Sequence, residues 1–129
     1  MSFCRNGKSR HEHQEVMSSA PRLTDETGLQ VLIAESHDAP VLLFKHSTRC
    51  SISSMALNRL ESSEMPLRFH LIDVIANRPV SNKVAEVFSI HHESPQLLVI
   101  HRGECVYEVS HLEIKPAEIC KELEALNSK

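Results

Sequence analysis

A chain of 129 residues with a formal charge of −3 is long enough for one domain with a real core. Its interspersed signs leave no electrostatic footprint for nucleic acid or an anionic membrane, and no apolar run approaches the length of a bilayer span. Aromatics are sparse, tryptophan is absent, and the N-terminus lacks the apolar centre of a secretion signal, so a cytoplasmic location is expected.

Met1 to Ser19 is polar and shows no sustained period; it is expected to be a flexible extension carrying Cys4, with the folded domain over residues 20–129. Val16 to Leu23 is weakly apolar and suits an edge strand, since Pro21 lacks an N–H. Thr24 or Asp25 caps a helix whose inner face holds Leu29, Leu32, Ile33 and Ser36, and Pro40 stops it. Val41-Leu42-Leu43-Phe44 is an unbroken apolar run, as expected of a strand buried on both faces. Lys45 to Arg49 is polar and reads as a turn. From Cys50, Ile52, Met55, Ala56 and Leu60 fall at helical spacing, and the helix ends near Ser62-Ser63, before Pro66.

Leu67 to Val74 alternates as a strand, with Leu67, Phe69, Leu71 and Asp73 on one side and Arg68, His70, Ile72 and Val74 on the other. Arg78-Pro79 opens a helix with Val80, Val84, Val87 and Phe88 as its apolar face. Glu93 to Gln96 is a break before the short strand Leu97 to Ile100. Arg102-Gly103-Glu104 is a hairpin turn, and the returning strand places Cys105, Tyr107 and Val109 on one face. Pro116 opens the last helix, with Ile119, Cys120, Leu123 and Leu126 inward. Helices that join apolar strands imply right-handed parallel crossovers, and the strands around Gly103 must be antiparallel. The expected architecture is α/β: a mixed central sheet of four to five strands with helices on both faces, in the element order of the thioredoxin fold.

The chemistry concentrates at Cys50, where a buried strand ends and a helix begins. First-turn amides without intrahelical partners, the helix dipole and the neighbouring Arg49 all favour a thiolate there. The other cysteines are Cys4, Cys105 and Cys120. Their wide spacing and the cytoplasmic context argue for free thiols, with Cys120 an inert core residue. Cys105 lies a strand length from the Pro95 loop, over about 20 Å, and is too far to resolve Cys50. His11-x-His13 and His91-His92 have no partner cluster, so no metal site is expected.

Cys50-Ser51-Ile52-Ser53 resembles the thioredoxin CxxC motif with serine in place of the second cysteine, and Ser94-Pro95 resembles the loop that carries that fold's cis-proline. FKHSTRCSISSMALNRLE, RPVSNKVAE and HESPQLLVIHRGE together are similar to the YtxJ-like family, the monothiol bacilliredoxins, over roughly Leu23 to Leu126. The resemblance implies removal of bacillithiol, or another low-molecular-weight thiol acting as co-substrate, from mixed disulfides on protein partners after oxidative stress. No other cofactor is expected. By position it makes Cys50 the nucleophile, Ser53 the occupant of the resolving position, and Ser94 and Pro95 the substrate wall. Ser51 departs from the proline that Gram-positive members commonly carry there. The Ser53 hydroxyl either bonds the thiolate or satisfies the helix terminus; His46 either shuttles a proton or packs; Thr48 either bonds the sulfur or caps. A peroxidase and a non-catalytic module that grips partner chains at Ser94-Pro95 are the alternatives.

Overall fold

The computed structural model describes residues 20–127 with the exception of 64, 66 and 68. The expected extension with Cys4, residues 16–19 of the expected edge strand, and Pro66 and Arg68 lie outside the described residues. The chain forms α1 (Glu26–Glu35), β1 (Val41–His46), α2 (Ser51–Ser62), β2 (Phe69–Asp73), α3 (Arg78–Phe88), β3 (Gln96–His101), β4 (Glu104–Ser110), a 3-10 turn at His111–Glu113 and α4 (Pro116–Asn127). The sheet order is β2-β1-β3-β4, with β1 parallel to β2 and antiparallel to β3, and β4 antiparallel to β3.

Strand alternation builds two cores. Val41, Leu43, Ile72, Leu98 and Ile100 pack with Leu29 and Leu32 of α1 and Val80 and Val84 of α3. Leu42, Phe44, Leu71, Leu97 and Val99 pack on the other face with Ala56 and Leu60 of α2 and Ile119 and Leu123 of α4. The sheet is therefore covered on both sides, which is why β1 and β3 read as continuous apolar runs.

Five details differ from the sequence reading. Among the described residues the fifth strand is one parallel bridge, Arg22 to Leu71, made by Leu23 N–H to Leu71 O and Leu71 N–H to Pro21 O, both at 2.9 Å. β1 runs on through Lys45 and His46, both buried. Between the named strands, β1–α2–β2 is a parallel crossover but β2–α3–β3 is not, since β3 enters on the other side of β1 and runs against it. Val87 is 39% exposed, at the margin of the α3 stripe. A bulge between Val99 and Ile100 pairs them with Tyr107 and Cys105, leaving Val106 as the extra residue. That insertion flips the alternation, so Cys105 packs on the α1–α3 face while Tyr107 and Val109 pack on the other.

The hairpin is a two-residue turn in which Arg102 and Gly103 both have positive φ, 56° and 79°. Arg102 N–H donates to Ser36 O at 2.8 Å and Gly103 N–H to Ser36 Oγ at 2.9 Å, which tie the turn to the end of α1.

Candidate active site

At the end of β1 the chain leaves the sheet through Ser47, Thr48 and Arg49 and enters α2 at Cys50. Cys50 is the N-cap residue, with extended backbone at φ −116° and ψ 120°. Its N–H donates to Ser47 O at 3.2 Å, and Arg49 N–H donates to Ser47 Oγ at 3.3 Å, so the loop is a tight turn closed on Ser47. Thr48 and Arg49 are exposed on it. Cys50 is partly exposed and free, and no side-chain hydrogen bond caps α2. The first-turn amides thus have no side-chain acceptor where the sulfur stands.

Beneath the turn, Ser53 is fully buried. It accepts from Ser47 N–H at 3.0 Å, and its oxygen lies 2.7 Å from His46 Nδ1. Burial lowers the His46 pKa, offset by nearby Asp73 and reinforced by Arg22. The tautomer of the ring sets which of His46 Nδ1 and the Ser53 hydroxyl donates in this bond. His46 also stacks on Phe44, centroids 6.0 Å apart. Ser53 and His46 therefore form a buried staple that fixes the turn carrying Cys50. Among the described residues neither makes a hydrogen bond to the Cys50 sulfur.

The opposite wall comes from the sheet register. Lys45 pairs with Gln96, so the residues just before β3 stand beside those just after β1. Ser94-Pro95 is a cis peptide at that end of the sheet, and Pro95 is buried. Pro95 O accepts from His111 N–H at 3.0 Å, with His111 in the left-handed region at φ 57°. Ser94 Oγ is buried without a hydrogen-bond partner among the described residues.

The remaining thiols stand apart. Cys105 pairs with Ile100, which pairs with Val41 at the far end of β1 from Cys50. Burial pushes the Cys105 thiol up, and its Sγ donates to Tyr107 O at 3.4 Å. Cys120 is buried but disulfide-bonded, which corrects its reading as an inert, reduced core cysteine. Sequence reasoning missed Lys45, His92, Gln96 and His111. Lys45 and Gln96 were legible only as polar residues abutting apolar runs; His111 gave no signal, since it meets Pro95 through its backbone N–H.

A free cysteine at a strand-to-helix junction, with a cis-proline loop at the same end of a mixed sheet, defines a thioredoxin-like thiol site. The sequence profile of the family described as monothiol bacilliredoxin BrxC matches residues 21–119, and the chain belongs to that family. Among solved structures, one described as a candidate oxidoreductase with a thioredoxin fold aligns at 26% identity and TM-score 0.72, over 79% of this chain and 91% of that one. Thioredoxin from Trypanosoma brucei brucei aligns at 13% identity and TM-score 0.67, over 92% and 100%. Thioredoxin from Malassezia sympodialis aligns at 16% and 0.63, over 90% and 97%. The latter two share the fold alone. Family and fold support a thiol–disulfide oxidoreductase role, and among the described residues no helix is long and apolar enough to cross a membrane.

Proposed function

We propose that the protein removes a low-molecular-weight thiol, bacillithiol or a similar compound, from mixed disulfides on proteins, using Cys50 as its one exchanging thiol. The observation that carries this reading is the residue one helical turn on: Ser53 is buried, and its hydroxyl is spent on His46 and Ser47. An internal disulfide across the CxxS motif is chemically impossible, and Cys105 stands at the other end of the sheet.

The Cys50 thiolate attacks the small-thiol sulfur of the mixed disulfide. The protein sulfur leaves as thiolate and takes a proton from water, and Cys50 keeps the small thiol in a new disulfide. A second small-thiol thiolate attacks that adduct, releasing the oxidised small-thiol dimer and restoring Cys50. One disulfide is consumed and one is formed, so electrons balance. Cys50 attacks from the N-cap of α2, where no side chain caps the first-turn amides. Ser94 and Pro95, joined by the cis peptide, form the wall for the protein substrate.

The test is to incubate the protein with a bacillithiolated or glutathionylated model protein and follow release of its thiol. Release by the wild type that is lost in Cys50→Ala is expected. No release in the presence of either small thiol, with partner binding intact, would contradict the proposal and favour a binding module; faster turnover of hydrogen peroxide would favour a peroxidase.

A further inference from the structure

Two fully buried polar side chains occupy the last layer of the α1–α3 face before the site, and the exchange reaction uses neither. Lys45 and Gln96 are direct partners across β1 and β3, on the same face as the Leu43–Leu98 pair one layer in. Both reach the segment leading into Pro95. Gln96 Nε2 donates to His91 O at 2.9 Å, and its Oε1 accepts from Glu93 N–H at 3.4 Å. Lys45 Nζ donates to His92 Nδ1 at 3.0 Å and to Ser81 O, in the first turn of α3, at 3.1 Å. Among the described residues no carboxylate pairs with the ammonium. Keeping such a charge buried without a counter-charge is costly, and methionine would fill the space without that cost.

We propose that Lys45 is a positioning residue that acts through His92: it holds the His91–Pro95 segment in place across from Cys50, so that a protein mixed disulfide meets one fixed wall. The inference deepens the reading of Cys50 as the exchanging thiol and rests on it.

The hold has a required protonation state. Lysine only donates, so His92 must present a bare Nδ1. The ring is exposed, yet partial desolvation, Lys45 and Arg78 push the His92 pKa down, and Glu93 pulls it up. The net direction keeps the ring neutral at pH 7. The groups facing it are Lys45 from β1, Arg78 from α3 and Glu93 from its own segment, and Glu93 also meets His111 Nε2 at 3.5 Å. In acid, a protonated His92 loses the bond and sets two positive charges together.

The experiment compares the full-length wild type with Lys45→Met, His92→Leu and His92→Asn, whose side-chain oxygen stands near where Nδ1 was. Hydrogen exchange is read at the amides of Glu93 and His111, the second of which donates to Pro95 O. Dethiolation of a glutathionylated protein is measured from about pH 5 to about pH 8 beside alkylation of Cys50 by iodoacetamide. In Lys45→Met and His92→Leu, both amides should exchange about tenfold faster. KM for the protein mixed disulfide should rise about fivefold, while alkylation stays within about twofold. His92→Asn should restore both, and should not lose rate in acid as the wild type does relative to its own alkylation profile. Wild-type exchange and KM in His92→Leu would overturn the proposal. If the wild type releases no thiol at all, the reading of Cys50 falls, and the two amides still decide whether Lys45 holds the segment.

Discussion

Lys45 and Ser53 are both buried, polar and a few residues from Cys50, yet they contribute to stability with opposite sign. Lys45 has its pKa lowered by desolvation to about 8 from 10.5, so its charged form is worse solvated in the fold than in the unfolded chain. Between those two values the unfolded chain binds more protons, and folding stability rises with pH there; below about 8 the full penalty is present. Lys45→Met should therefore stabilise the protein at pH 7 by about 2 kcal/mol, after allowing for the lost hydrogen bonds. The gain over wild type in urea melts should shrink as pH climbs from about 8 towards 10.5. A pH-independent gain would mean that the charge is not what the fold resists. Ser53→Ala should go the other way. It strands Ser47 N–H and His46 Nδ1 beneath the turn and should cost about 1–3 kcal/mol in urea melts. It should also slow thiol exchange, because the turn that presents Cys50 is released. A variant with wild-type stability would remove Ser53 from the staple.

Element by element, the sequence was readable where periodicity and caps decide the outcome. Asp25 accepts from Gly28 N–H at 2.9 Å and starts α1, Pro79 sits in the first turn of α3, and Pro116 opens α4. The β4 bulge was not readable, because Cys105-Val106-Tyr107 is a short apolar run that gives no register signal, and only the pairing with β3 shows that Val106 is extra. The end of β1 was misread for a related reason: Lys45 and His46 look like turn residues, but their polar atoms find partners in α3, the His92 segment and α2. Composition reports polarity, while burial depends on whether a partner is present. The β3–β4 turn carries a local cost that can be removed. Arg102 holds a left-handed φ of 56° ahead of Gly103, a geometry that asparagine adopts readily. Arg102→Asn should raise stability by about 0.5–1 kcal/mol in urea melts without altering exchange, since the turn is at the opposite end of β3 from Pro95. A loss of stability would show that the arginine side chain, not the backbone, matters at this turn.

At the scale of the molecule, the sheet register assembles the site from segments far apart in sequence. Parallel pairing of β1 with β2 and antiparallel pairing with β3 bring the ends of β1 and β2 and the start of β3 to one edge, where α2 begins and the cis-proline loop turns. The same register sends Cys105 to the other edge. The architecture thus presents Cys50 without a second free thiol within reach among the described residues, as the proposed mixed-disulfide exchange requires. The most direct measurement is the mass of the intact protein after brief treatment with excess protein mixed disulfide, followed by peptide mapping. The expected product carries one small thiol on Cys50, with the same yield in Cys105→Ser. An intramolecular disulfide that includes Cys50, in place of that adduct, would contradict the account.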